Sequence, residues 1–116
     1  MNLGHIELFV SDPMRAKDFY TSVLGFELID VQAGKFVWVE SGSMQILLRP
    51  GGGRDAPTKY HEAHMGLVLY AEDFEHVVQQ LTARGLKFQG NDGSPRCLTF
   101  TDPDGHWFQL VSPADY

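Results

Sequence analysis

Residues 4–13 read Gly-His-Ile-Glu-Leu-Phe-Val-Ser-Asp-Pro. Ile6, Leu8 and Val10 alternate with His5, Glu7 and Phe9, the period-two pattern of a half-buried strand. Asp12 followed by Pro13 supplies an N-cap and an N1 proline, so a helix starts at once. Ala16, Phe19, Tyr20, Val23 and Leu24 then share one helical face, and Gly25 stands at the C′ position. Three further strands are predicted over Phe26–Val31, Phe36–Glu40 and Met44–Arg49.

The same order returns downstream. His64 heads a strand predicted over Met65–Tyr70. Asp73 caps a helix carrying Phe74, Val77, Val78 and Leu81 on one face, and Gly85 closes it. Strands over Leu86–Gln89, Cys97–Thr101 and Trp107–Val111 follow. The two halves form an internal repeat: 64 − 5 = 59 separates the histidines and 85 − 25 = 60 the closing glycines. Leu47 and Gln109 match at 109 − 47 = 62. Pro50 to Pro57, rich in glycine and proline, joins the halves and excludes a long element there. Module one then spans about residues 1–50, a linker about 51–61, and module two about 62–113. The fold expected is α+β: two βαβββ modules in tandem, making a curved mixed sheet with a concave cleft.

With one helix per module, one sheet face is left as a wall. If Ile6, Leu8 and Val10 meet the helix, His5, Glu7 and Phe9 line that wall. By alternation Gln45, Leu47 and Arg49 belong there too. In module two Met65, Leu67 and Leu69 are expected to pack, with His64, Gly66 and Val68 on the wall. On the last strand Phe108 and Leu110 are expected inside, with Trp107, Gln109 and Val111 on the wall. Trp38 shares a face with Phe36 and Glu40.

Composition narrows the function. A net charge of −6 provides no broad basic face for a phosphate backbone, which argues against nucleic acid as a partner. The apolar runs are only a few residues long, far below the ~20 needed to span a bilayer, so no membrane partner is expected. Cys97 is the one cysteine, which excludes an intrachain disulfide and a cysteine-based zinc site. It suits a reducing cytoplasm, and the N-terminal stretch lacks the basic region of a signal peptide. Gly51-Gly52-Gly53 has no following Lys-Ser/Thr, so it is no phosphate loop.

Gly4 to Val10 with Asp12, Phe19-Tyr20 to Leu24-Gly25-Phe26, His64 to Leu69, and Asp102-Pro103-Asp104-Gly105-His106-Trp107-Phe108-Gln109-Leu110 carry a resemblance over nearly the whole chain. It resembles the vicinal oxygen chelate superfamily, the group of glyoxalase I, extradiol dioxygenases, fosfomycin-resistance thiol transferases and bleomycin-resistance proteins. The resemblance implies metal ligands at the first and last strand of each module. Carried over by position, these are His5, Leu47, His64 and Gln109. His5, His64 and Gln109 can ligate a divalent ion of the Zn, Fe, Mn or Ni kind, and Leu47 cannot. Gln109 stands where most members carry glutamate.

Two functions follow from the resemblance. One is an enzyme in which a divalent ion chelates two adjacent oxygens of a small substrate, as a lyase, isomerase, dioxygenase or thiol transferase. The other is a protein that uses no metal and sequesters a small molecule in an aromatic groove. Candidate ligand-binding residues are Phe9, Trp38, Leu47, Arg49, Arg96 and Trp107, with the two arginines suited to a carboxylate or phosphonate. The resemblance also implies a homodimer.

Overall fold

The computed structural model describes residues 1–53 and 55–115, so Arg54, within the expected linker, lies outside the described residues. The chain divides into two compact units, Met1–Arg54 and Asp55–Tyr116.

In the first unit β1 (Ile6–Val10) leads into α1 (Pro13–Asp18), followed by β2 (Glu27–Gln32), β3 (Phe36–Ser41) and β4 (Met44–Pro50). The sheet order is β1-β4-β3-β2, with β1 parallel to β4 and the other pairs antiparallel. Asp12 caps α1 as its sequence position requires, accepting from the backbone N–H of Met14 and Arg15. The expected twelve-residue helix changes character half-way. Phe19–Val23 forms a π-helical turn, with Leu24 N–H donating to Phe19 O at 3.0 Å. Thr21 Oγ1 donates to Lys17 O at 2.8 Å beside this turn. Gly25 then takes φ 77°, the left-handed conformation that stops a helix.

Alternation sorts the faces as expected. Leu8, Val10, Val37, Val39, Ile46 and Leu48 are buried, and α1 packs on β3 and β4. Ala16 and Tyr20 are the buried residues facing that core from the helical segment. The opposite face carries Glu7, Leu47 and Trp38 in one cross-strand row, through the pairs Glu7–Leu47 and Trp38–Leu47.

In the second unit β5 (Leu67–Tyr70) precedes α2 (Phe74–Ala83), then β6 (Cys97–Thr101) and β7 (Trp107–Val111). The sheet order is β5-β7-β6, with β5 parallel and β6 antiparallel to β7. Asp73 caps α2 through His76 N–H. Phe100 and Phe108 stack at 5.1 Å between centroids, and Phe88 meets Phe100 edge-on at 5.9 Å.

Three expectations change here. Leu86–Gln89 is not a strand. Only its end runs beside β6, where Gln89 N–H donates to Thr99 O at 2.7 Å and Asn91 bridges Leu98. Met65 does not pack: it is 55% exposed, because β5 begins two residues later at Leu67. Trp107, Gln109 and Val111 do not line an open wall: β7 is buried along its whole length as the central strand. Trp107 is covered from the preceding segment, its Nε1 donating to Pro57 O at 2.8 Å and its ring 6.0 Å from that of Tyr60. Tyr60 in turn occupies the space a side chain at Gly66 would need.

Candidate functional site

In the first unit the half-exposed sheet face is built around one carboxylate. Glu7 accepts from Arg49 Nη1 at 3.0 Å and pairs with His5 Nε2 at 2.8 Å. The His5 hydrogen bond, then that of Arg49, hold the Glu7 carboxyl below the ordinary carboxylate range. The His5 ring also meets Trp38 edge-on at 4.8 Å. The Arg49 guanidinium lies 5.6 Å from the Phe9 ring centre and 5.4 Å from that of Phe36. Its Nε is buried and finds no acceptor among the described residues. Strand register explains the gathering. Phe9 pairs with Arg49 across β1 and β4, and Glu7 pairs with Leu47 one step away on the same face. Five of the expected residues, His5, Phe9, Trp38, Leu47 and Arg49, therefore stand together in this unit. Glu7 was expected on this face by its alternation with His5 and Phe9, and the structure adds its bonds to both His5 and Arg49.

The second unit carries a separate polar cluster. Gln109 is 2% exposed and donates through Nε2 to Asp92 Oδ2 at 3.0 Å. The other oxygen of Asp92 meets His61 Nε2 at 3.1 Å. Asp92 is itself fixed by the turn before β6, its N–H donating to Cys97 O at 2.8 Å. His64 is exposed and precedes β5. Asp92 and His61 were not singled out from the sequence: Asp92 reads as turn chemistry beside Asn91 and Gly93, and His61 as a surface residue.

Arg96 stands with α2 and not with Gln109 and Trp107. It bonds Glu75 at 2.7 Å and Asp115 at 2.9 Å, and its guanidinium lies 5.2 Å from the Phe74 ring centre. Its charge is already matched by two carboxylates, the Asp115 hydrogen bond first among the causes that raise its pKa. Arg96 also lines a cavity beside α2, together with Phe74, Val78 and Leu98.

Register also tests the internal repeat. Glu7, the second residue of β1, pairs with Leu47, and Val68, the second residue of β5, pairs with Gln109. Sheet register therefore keeps Leu47 matched with Gln109. The histidines are what fall out of step: the capping aspartates lie 73 − 12 = 61 apart, which puts Gly66 and not His64 at the counterpart of His5.

The donor chemistry can be tested for metal against these contacts. A neutral His5 that donates its Nε2 proton to Glu7 keeps a lone pair on Nδ1, the arrangement in which a carboxylate orients a ligating imidazole. A carboxylate can only accept, so Asp92 fixes which end of the Gln109 amide faces it. Two imidazoles and one oriented amide are a chemically sound donor set for a first-row divalent ion. Among the described residues no group of three or more His, Cys, Asp or Glu stands together as a metal cluster on its own.

Comparison with known proteins adds the lineage. The chain is 27% identical to a lactoylglutathione lyase of Pseudomonas putida over 95% of this chain and 84% of that protein. It is 39% identical to a catechol-2,3-dioxygenase of Bacillus subtilis over 76% of this chain, spanning only 32% of the dioxygenase. Among solved structures, the antibiotic binding protein TnmS3 of Streptomyces sp. CB03234 superposes with a TM-score of 0.71 at 27% identity, over 97% of this chain and 98% of that one. The family model of the Glyoxalase/Bleomycin resistance protein/Dioxygenase superfamily matches residues 2–110, and on that match the chain belongs to that superfamily.

Proposed function

We propose that the protein is a small-molecule enzyme of this superfamily whose site holds a divalent metal ion through His5, His64 and Gln109. The observation that carries this reading is the 2.8 Å pairing of His5 Nε2 with Glu7. A carboxylate behind an imidazole sets its tautomer and ring angle, which a ligating histidine needs and a solvated one does not. When bound, the ion supplies a Lewis acid for two adjacent oxygens of the substrate and stabilises developing negative charge there. The chain's own residues do the rest. Trp38, Phe9 and Leu47 offer an apolar wall, and Arg49 holds a carboxylate or phosphonate group of the substrate. Glu7 keeps His5 and Arg49 in register with each other. Burial of Trp107 under Tyr60 and Pro57 makes its role the support of β7 beside Gln109.

The relatives support an enzyme of this type without fixing lyase, dioxygenase or transferase chemistry. A second reading has its own observation. The Arg49 guanidinium lies 5.6 Å from the Phe9 ring centre and 5.4 Å from that of Phe36 on the half-exposed sheet face of the first unit. A guanidinium so placed also suits a protein that uses no metal and binds an anionic aromatic molecule, and the likeness of this chain to an antibiotic binding protein supports that reading. On either reading we propose a homodimer acting in the cytoplasm. Among the described residues no helix is long and apolar enough to cross a membrane.

Calorimetric titration with Mn, Fe, Co, Ni and Zn separates the readings, with sedimentation analysis of the same samples giving the dimer. Saturable uptake by the wild type, lost in the His5→Ala, His64→Ala double variant, is expected. Absence of uptake for every metal, with an aromatic carboxylate still bound, would replace the first reading by the second.

A further inference from the structure

We infer that Asp92 is the positioning residue for Gln109: it carries, one bond outward, the negative charge that a glutamate at position 109 would carry itself. The inference rests on the proposed metal site and adds a residue to it.

Gln109 is 2% exposed in the central strand β7, where an amide must be hydrogen-bonded to be tolerated. Its Nε2 donates to Asp92 Oδ2 at 3.0 Å. Because a carboxylate offers no proton, the amide cannot flip and keep this bond. The carbonyl end is thus turned away from Asp92 and held in one orientation. Asp92 in turn cannot swing freely. His61 Nε2 engages its second oxygen at 3.1 Å, and its backbone N–H is tied to Cys97 O at 2.8 Å. Asn91 bridges Leu98, which sets this turn on the end of β6. The sheet continues the chain of supports, since Thr99 of β6 pairs with Gln109 itself.

Charge gives the second half of the argument. An amide oxygen is a weaker donor to a cation than a carboxylate, because it brings no net charge. Hydrogen bonding of the amide nitrogen to an anion pushes electron density toward the carbonyl oxygen and raises its basicity. The His61–Asp92–Gln109 chain therefore delivers part of a carboxylate's effect through a neutral residue. It also explains why glutamine is suited to position 109 in this chain: glutamate there would face Asp92 across about 3 Å, and two carboxylates at that distance do not both ionise freely.

The test is a swap. Asp92→Ala is expected to weaken Mn or Co binding about 10- to 100-fold, the usual loss when such an outer partner is removed. Gln109→Glu alone is expected to lower the melting temperature of the metal-free protein, through the facing carboxylates. Adding Asp92→Asn to it restores a donor–acceptor pair of reversed polarity. That double variant is expected to recover most of the lost stability and to bind Mn or Co at least as tightly as the wild type. A merely structural contact would not give that gain in metal affinity. Unchanged affinity in Asp92→Ala, or stability effects of the two swapped positions that simply add, would overturn the positioning role. If the wild type takes up no metal while the two positions remain coupled in melting, the metal reading fails and the pair is only structural, which also overturns this inference. The metal-free melting cycle and the metal titration thus identify which of the two has failed.

Discussion

His5 and Arg49 share one carboxylate, and that sharing decides how each side chain can act. Glu7 is partly open to solvent, with its side chain 34% exposed, yet it is held by two donors at 2.8 and 3.0 Å. Since its carboxyl is held low by these partners, it stays ionised as pH falls past the ordinary carboxylate range. The pairing is complete above the unfolded carboxyl's pKa and is lost only as pH falls through the lowered one. Glu7→Gln keeps the shape and removes the charge. It is expected to weaken metal binding about tenfold with little change in folding, because it acts on the orientation of His5. Competition against a chromophoric chelator measures this, and an unchanged dissociation constant would contradict it. Of these residues the sequence made His5 legible, as one of two histidines heading matched strands. Glu7 and Asp92 were not legible in that way: a carboxylate behind a ligand has no spacing rule, since it is recruited through the sheet or through a turn.

Among the elements, the turn from β6 to β7 shows how closely sequence and structure can agree. Asp102-Pro103-Asp104-Gly105 reads as a turn from its sequence, and the structure adds its mechanism. Asp102, 3% exposed, accepts from Asp104 N at 3.0 Å, His106 N at 2.8 Å and His106 Nδ1 at 2.7 Å. Gly105 takes φ 89°, and a side chain there would collide with Ala56. The turn aims β7, and so Gln109, from one end. Asp102→Ala is expected to cost about 3 kcal/mol in urea unfolding, since it strips a buried acceptor from several donors at once. The hydrogen bond to Asp102 raises the pKa of His106, against an opposing effect of burial. A raised folded-state pKa stabilises fully below the unfolded value of about 6.5 and fades as pH rises through the folded one. His106→Asn should therefore be most destabilising below about pH 6.5 and progressively less so as pH rises through the raised folded-state value. A difference independent of pH would contradict the ion pair. By contrast Leu86–Gln89 shows where strand propensity misleads: its apolar pattern packs Phe88 onto Phe100, but only its end hydrogen-bonds to β6.

For the whole molecule, the repeat was the most legible feature, because a strand, a capped helix and a closing glycine recur at offsets of 59 and 60. What that reading missed was that the two histidines are out of step: β1 begins one residue after His5, and β5 three residues after His64. The match of Leu47 with Gln109 holds in the sheet register, each pairing with the second residue of its parallel neighbour. The covering of β7 by Pro57 and Tyr60 was equally illegible, since a Gly- and Pro-rich joint gives no periodicity to place it. Two units of similar size thus carry different chemistry at matched positions, an apolar leucine in one and a carboxylate-held amide in the other. The proposal that His5, His64 and Gln109 are ligands of one divalent ion is tested most directly by X-ray absorption at the metal edge of the Mn- or Co-loaded protein. A shell of about two imidazoles among oxygen donors is expected, falling to about one in His64→Ala, whereas a spectrum of oxygen donors alone, unchanged by that substitution, would contradict it.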